Sequence, residues 1–186
     1  MTIYKVRHLE YAKAVIQLCR NGSTTPLRHG ERAPARRGGK PNAKGRDIQM
    51  ALSEKRAAEL TRLCRRFRID VLTAIHKVQT GHPGGSLSVC EILTVLTQEH
   101  MNLAGPEDPA RDRLVLSKGH AAPMLYRCLI EKGFLPADSM STLRQTGSLL
   151  QGHPSMHTPG IEMPAGPLGL GLGAAQGMAL ALRLQG

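Results

Sequence analysis

Apolar residues first recur at helical spacing in the stretch that runs from Ser53 to about Thr80. They stand three or four positions apart, with lysines and arginines on the other faces: Leu60, Leu63, Cys64, Phe67, Val71, Ala74, Ile75 and Val78. This pattern is typical of a long amphipathic helix that packs one face against a core. We expect the helix to stop at Gly81. A loop should follow, because Pro83 forbids a helical conformation at His82.

A second apolar stripe runs from Val89 to Leu96. Ser88 and Glu91 precede it with the S-x-x-E spacing of a capping box, in which each side chain bonds a backbone N–H group of the first turn. The spacing predicts a helix capped by Ser88, directly after the Gly/Pro-rich loop of residues 81–85.

A short apolar run from Arg113 to Ser117 favours a buried strand of a parallel sheet. It leads through His120 into a predicted helix of residues 121–132, with Gly133 in the C-cap position. Ligands of open α/β sheets bind where strands end, so His120 is expected at a ligand-binding edge.

Two further helices are predicted, over residues 138–145 and 169–185. In the second, three glycines recur every four residues and predict a bare face for close backbone packing: Gly169, Gly173 and Gly177. The uncharged segment 163–182 contains prolines and glycines, which favours a buried helix over a membrane span.

The net charge of +11 is concentrated in residues 1–50, which hold eleven Lys and Arg against three Asp and Glu. Residues 21–46 lack any apolar period and predict disorder. A basic run without aromatic residues is weak support for specific nucleic-acid binding. We therefore expect a basic, disordered extension over residues 1–50. The alternatives are an RNA-binding tail and an extension that arises because the sequence is read from a start codon upstream of a true start at Met50. Residues 51–186 are expected to form one domain.

The numbers of cysteine and aromatic residues indicate the cellular compartment and the kind of core. The four cysteines form no C-x-x-C pair, and buried free thiols in a reducing cytoplasm are favoured over a disulfide or metal framework. No secretory signal is recognisable, so a cytoplasmic location is predicted. With three Tyr, two Phe and no Trp, the core is expected to be aliphatic and the surface to lack stacking platforms for bases.

Three histidines lie in Gly/Pro-rich loops, namely His82 in T-G-H-P-G-G, His120 in S-K-G-H and His153 in Q-G-H-P. Such loops keep the imidazole accessible and let the backbone approach a ligand closely. Neutral imidazoles both donate and accept, which suits sugar hydroxyls and proton transfer near neutral pH. A three-histidine metal site is the alternative, but the three sites lie too far apart in sequence to form a local ligand signature, and no metal ligand is assigned.

Residues 169–174 also match the dinucleotide-binding pattern G-x-G-x-x-A. That motif requires a strand before it, and Pro164 and Pro167 occupy this position instead. A dinucleotide site is therefore not predicted.

Four motifs, in this order, resemble the thiamine diphosphate domain of transketolase: G-H-P-G-G-S-L-S from Gly81, R-D-R-L-V-L-S-K-G-H from Arg111, G-H-P from Gly152 and G-P-L-G from Gly166. The similarity covers about residues 52–184 and is particularly strong to the split form, in which this domain is an amino-terminal subunit. It implies an α/β thiamine-diphosphate-binding fold, a parallel sheet flanked by helices, of which residues 51–186 are the front part, incomplete at the carboxyl end.

The resemblance implies a role for each motif. His82 would assist proton transfer at the donor sugar, and His153 would bond a hydroxyl of the two-carbon unit being moved. His120 would contact the cofactor diphosphate, while the turn of Gly166, Pro167 and Leu168 would present backbone groups to the cofactor rings. The implied reaction moves a two-carbon ketol unit between sugar phosphates through thiamine diphosphate.

The chain departs from the family pattern in two places. Leu170 stands where the family usually has Gln. The motif that holds Mg²⁺ or another divalent cation is expected beyond residue 186, and the catalytic glutamate is expected on a companion carboxyl-terminal subunit. We therefore expect an oligomer that includes this companion, no membrane or specific nucleic-acid partner, and no activity from this chain alone. A dihydroxyacetone or deoxyxylulose phosphate synthase and an inactive remnant are the alternatives.

Overall fold

The computed structural model describes residues 3–6, by their backbone alone, and residues 52–185. Its regular elements are strands β1 (Ile3–Val6) and β2 (Arg113–Leu116) and helices α1 (Glu54–Val78), α2 (Pro83–Leu87), α3 (Cys90–Val95), α4 (Ala122–Glu131) and α5 (Leu170–Gln185). A π-helical turn extends α3 over Leu96–His100, and 3₁₀ turns occupy Gly119–Ala121 and Ser139–Thr142.

Helix α1 confirms the first predicted helix. Ser53 caps it, because its hydroxyl accepts a hydrogen bond from the backbone N–H of Arg56 at 3.2 Å. The buried face is the predicted stripe: Leu60, Cys64, Phe67, Val71, Ala74 and Ile75. The helix ends at Gln79, which adopts a left-handed φ of 54°, and Gly81 then turns the chain with a φ of 148°.

Helix α4 lies at the centre of the core. Nine of its ten residues are buried, and α1, α2 and α3 all pack against it. Its predicted end is confirmed, since Gly133 follows the last turn with a φ of 77°. The core of the described residues is mainly aliphatic, as expected, but it also contains the fully buried aromatic rings of Phe67 and Tyr126.

Strand β2 is buried as predicted, but the predicted parallel pairing is wrong for the strands that the structure describes. Its partner β1 runs antiparallel, with Ile3 opposite Leu116 and Val6 opposite Arg113. An apolar run specifies burial and leaves the direction of the neighbouring strand open, which explains the error. Apart from residues 3–6, the predicted disordered extension lies outside the described residues.

The predicted capping box is also wrong. Ser88 closes α2 instead of opening α3, and its hydroxyl donates to the Gly85 carbonyl at 3.1 Å. The carboxylate of Glu91 pairs with Arg68 on α1. Both side chains therefore serve other contacts, which local sequence spacing does not reveal.

Helix α5 begins where predicted, but its close contact is not on the predicted glycine face. A Cβ at Gly171 would lie 2.8 Å from Cβ of Ser117, whereas Gly173 and Gly177 face open space. In the described part of the chain, α5 instead packs on Val115 of β2 through Ala175. The bare glycine face is therefore left uncovered by those residues.

Three remaining expectations have mixed outcomes. The predicted helix of residues 138–145 is reduced to a single 3₁₀ turn, and Arg144 takes a left-handed φ of 60° just after it. Cys64, Cys90 and Cys128 are buried free thiols, as predicted, while Cys19 lies outside the described residues. A search of the described residues finds no helix with the length and apolar character needed to span a membrane.

Candidate functional site

His82 and His120 meet at the centre of the candidate site. His82 immediately precedes α2, and His120 lies in the 3₁₀ turn between β2 and α4. Their rings pack edge to face with centroids 5.3 Å apart. Gly85 permits this approach, because a Cβ there would lie 2.6 Å from Cδ2 and 2.9 Å from Nε2 of His120. Two of the three predicted histidine loops thus form one cluster.

Lys118 ties these two loops together. Its ammonium donates to the Gly85 carbonyl at 2.7 Å and to the Ser88 hydroxyl at 2.9 Å. Burial lowers the pKa of Lys118, because the charged form loses hydration. This residue was not predicted from the sequence. The available signal was its position two residues before His120, at the same strand end.

The electrostatic environment of His120 extends to the third histidine loop. Burial is the main cause that lowers the pKa of His120, followed by the nearby His82, Lys118 and His153. The neutral imidazole is therefore favoured near neutral pH, and it carries one donor and one acceptor.

Tyr126 anchors the His153 loop to α4. Its phenol oxygen lies 3.0 Å from the Gln151 carbonyl oxygen and 2.9 Å from that of His153. The neighbours Leu150 and Pro154 are buried, whereas His153 itself is exposed. The loop backbone is thus anchored while its imidazole stays open to a ligand. Sequence reasoning missed this role, because Tyr126 carries no signal beyond its place in a helix.

The predicted turn of Gly166, Pro167 and Leu168 lies next to the His120 loop. A Cβ at Gly119 would overlap the carbonyl oxygen of Ala165, so this contact requires glycine. Ala165 is buried, whereas the three residues of the turn are exposed. The structure therefore brings the turn near His120 through the Gly119–Ala165 contact and leaves its backbone accessible.

Two buried hydroxyls near the cluster have no hydrogen-bond partner within the described residues, Oγ of Ser86 and Oγ of Ser117. Ser86 follows Gly85 in α2, and Ser117 immediately precedes Lys118. A buried polar group without a partner is costly, so both are candidates for a ligand contact. Neither was predicted from the sequence.

No group of three or more His, Cys, Asp or Glu residues that could hold a metal ion is found in the described residues. The expectation that a divalent cation is held from beyond residue 186 stays a prediction.

Residues 59–185 match the family model described as transketolase, thiamine diphosphate binding domain. A 6-deoxy-6-sulfo-D-fructose transketolase subunit from Clostridium sp. is 47% identical over 116 residues, which cover 61% of this chain and 42% of that protein. An apulose-4-phosphate transketolase subunit from Phocaeicola vulgatus is 42% identical over 119 residues, with 63% and 42% covered. The chain spans less than half the length of these relatives.

Solved structures agree with the sequence relatives. The transketolase of Campylobacter jejuni superposes with a TM-score of 0.56 at 37% identity, over 61% of this chain and 18% of that one. The transketolase of Leishmania mexicana gives a TM-score of 0.56 at 33% identity, over 61% and 18%. These matches are consistent with the predicted thiamine-diphosphate-binding fold, although the parallel sheet itself is not seen in the described strands.

Proposed function

Because this chain belongs to the transketolase family, through its thiamine diphosphate-binding domain, we propose that it works in a transketolase. The enzyme would move a two-carbon ketol unit from a ketose phosphate to an aldose phosphate. The observation that carries the proposal is the direct ring contact between His82 and His120, which come from two separate loops. The contribution of His153 to the lowered pKa of His120 supports a place for the third loop beside them.

Thiamine diphosphate fits the donors that surround this cluster. The neutral imidazole of His120 and the ammonium of Lys118 suit the diphosphate oxygens, and the unpartnered hydroxyls of Ser86 and Ser117 add two further donors. The exposed backbone of residues 166–168 suits the polar edge of an aminopyrimidine. When bound, the cofactor supplies the electron sink for breaking the carbon–carbon bond beside the ketose carbonyl.

His82 and His153 are proposed to act on the sugar. Both are exposed, while His120 is half-buried. A neutral imidazole accepts a proton at one nitrogen and donates at the other. In this proposal His82 takes up or returns a proton at the donor sugar, and His153 bonds and orients a hydroxyl of the transferred unit.

The proposal includes a divalent cation and a companion carboxyl-terminal subunit. Both relatives described above carry the word subunit in their names. A diphosphate needs a cation beside it, because the ion is the largest compensating charge in such a site. We infer that this chain alone is inactive and assembles with its companion in the cytoplasm, where the buried thiols of Cys64, Cys90 and Cys128 stay reduced.

The test uses the full chain expressed together with a carboxyl-terminal subunit of a split transketolase, thiamine diphosphate and Mg²⁺. Ketol transfer between pentose phosphates is measured beside cofactor affinity. We expect His82→Ala and His153→Ala to lower kcat by roughly 10²- to 10⁴-fold with little change in cofactor Kd. His120→Ala is expected to raise that Kd instead.

The exposed His157 provides a matched control in the same irregular stretch as His153. His157→Asn should leave both kcat and cofactor Kd unchanged. Equal loss of folding stability in all three site variants would contradict the proposed roles. A wild-type complex that binds no thiamine diphosphate would overturn the function and favour an inactive remnant.

Substrate choice separates the related thiamine diphosphate enzymes. Turnover with pentose phosphates as donor and acceptor would indicate a transketolase of the ordinary kind. Transfer to formaldehyde would indicate a dihydroxyacetone synthase, and use of pyruvate would indicate a deoxyxylulose phosphate synthase. The relatives' names point to two unusual sugars, so 6-deoxy-6-sulfofructose and apulose 4-phosphate belong in the same panel.

A further inference from the structure

We propose that Tyr126 is a positioning residue, which sets where the His153 imidazole lies relative to His120. The inference rests on the proposed function, in which His153 acts on the sugar. It assigns a role to a side chain that lies outside the four sequence motifs.

The geometry begins with a single hydroxyl that serves two carbonyl groups. The phenol oxygen of Tyr126 lies 3.0 Å from the Gln151 oxygen and 2.9 Å from the His153 oxygen. A phenol has one proton, so the two carbonyls share it. Both oxygens must point to the same place, which requires the backbone between them to curve around the hydroxyl. The bond therefore fixes the backbone on which the His153 side chain stands.

Tyr126 remains a donor over the whole physiological pH range. Its side chain is fully buried, and burial raises the pKa of the phenol well above its usual value. The hydroxyl therefore keeps its proton, and the anchor does not weaken within this pH range.

Helix α4 makes this anchor a link between two site residues. His120 lies in the turn that runs directly into α4, and Tyr126 stands on α4 itself. Nine of the ten α4 residues are buried, so the helix is a rigid reference. One rigid element thus sets both the His120 position, through the chain, and the His153 position, through the Tyr126 hydroxyl.

Other contacts hold the ends of the same loop. The hydroxyl of Thr158 donates to the Leu149 carbonyl at 2.6 Å, and the Arg144 N–H donates to the Leu150 carbonyl at 2.7 Å. The first bond joins the two ends of the loop that contains residues 151–153, and the second holds its amino-terminal end. Loss of the Tyr126 hydroxyl should therefore loosen the loop centre without releasing its ends.

The test compares Tyr126→Phe with Thr97→Val in the full chain. Phenylalanine keeps the buried ring and removes only the hydroxyl. Thr97 is a matched control, because its buried hydroxyl donates to the Leu93 carbonyl at 2.7 Å, outside the histidine loops. We expect the backbone ¹⁵N order parameters of residues 151–153 to fall from about 0.85 toward about 0.6 in Tyr126→Phe, because the centre of the loop loses its anchor, and to stay at the wild-type values in Thr97→Val. No fall in Tyr126→Phe, or an equal fall in both variants, overturns the positioning role.

A second readout connects the loop to the proposed chemistry. In the assembled complex, Tyr126→Phe should lower kcat by about tenfold, as expected for a misplaced reacting group, while the cofactor Kd is unchanged. Unchanged kcat would overturn the effect on catalysis. If the wild-type complex shows no ketol transfer, the proposed function fails, and the order parameters still decide whether Tyr126 positions the loop.

Discussion

Two glycines, Gly85 and Gly119, allow the site loops to approach one another closely because they have no side chain. The space that a Cβ would occupy is taken by the His120 ring at Gly85 and by the Ala165 carbonyl at Gly119. An imidazole can rotate away from a methyl group, but a backbone carbonyl moves only with its whole segment. Gly119 is therefore the stricter of the two requirements.

The first prediction concerns Gly119→Ala. The added methyl group must displace the segment around Ala165, so we expect a loss of about 1–3 kcal/mol in the free energy of unfolding, as in other overpacked sites. Urea unfolding followed by circular dichroism measures it. Gly105→Ala is the matched control, since a Cβ there meets open space. Equal urea midpoints for the two variants would show that the Ala165 contact is not rigid.

The second prediction concerns the pH dependence contributed by His120. Burial and the neighbouring charges lower its pKa in the folded chain below the ordinary value of 6.5. As the pH falls below 6.5, the unfolded chain takes up the proton first, so the free energy of unfolding decreases. Well above pH 6.5 the residue is neutral in both states and contributes no slope.

Urea unfolding at about pH 7.5 and about pH 5.5 measures this effect. His120→Asn should show a smaller stability loss between the two pH values than the wild type. The exposed His157 supplies the comparison, and His157→Asn should keep the wild-type pH dependence. An unchanged slope in His120→Asn would mean that burial does not disfavour the imidazolium.

At the scale of elements, the sequence predicted the helices better than their contacts. α1 was found because its apolar periodicity reports a buried face directly, whereas α4 was bounded by its C-cap glycine and α5 was recognised from its glycine spacing. The direction of β2 pairing was predicted wrongly for the described strands, because burial carries no information about a distant partner strand. The prediction of a short helix at 138–145 was wrong, because Arg144 adopts a left-handed backbone conformation that its own sequence neighbourhood does not signal.

The third prediction tests the contacts that replaced the capping box. Ser88 receives the Lys118 ammonium at 2.9 Å, whereas Glu91 pairs with Arg68. A double-mutant cycle of Ser88→Ala with Lys118→Met should give a coupling energy of about 0.5–1.5 kcal/mol. The cycle of Ser88→Ala with Glu91→Gln should give none. Coupling in the second cycle alone would restore the capping box.

The sequence predicted the histidines of the candidate site but not the residues that hold their loops in place. His82, His120 and His153 stand in Gly/Pro-rich loops that short motifs identify. Lys118 and Tyr126 act by bonds to backbone carbonyls of distant segments, and such bonds leave no pattern in the sequence. The motifs therefore give the reactive side chains, while the structure is needed for the residues that place them.

At the scale of the whole molecule, the hydrophobic core is divided unequally. The larger cluster joins α1, α3 and α4 with the segment from Phe134 to Ile161. The smaller cluster is centred on Val115 and Ala175, at the contact between β2 and α5. Only two of the sixteen α5 residues are buried, against nine of ten in α4. The free energy that holds α5 in place is correspondingly small.

The last prediction is that α5 opens without global unfolding. Segments with few buried apolar contacts exchange their amides through local or partial opening, and core helices exchange through unfolding of the whole domain. Amide exchange followed by mass spectrometry at increasing urea should therefore show a lower opening free energy, with a weaker urea dependence, for α5 than for α4. Helix α1 serves as the control and should follow α4, because six of its residues enter the buried core. If α5 matched α4 in both quantities, the two clusters would unfold as one unit. The Gly166–Leu168 turn, which leads into α5, would then be as firmly held as the His120 loop.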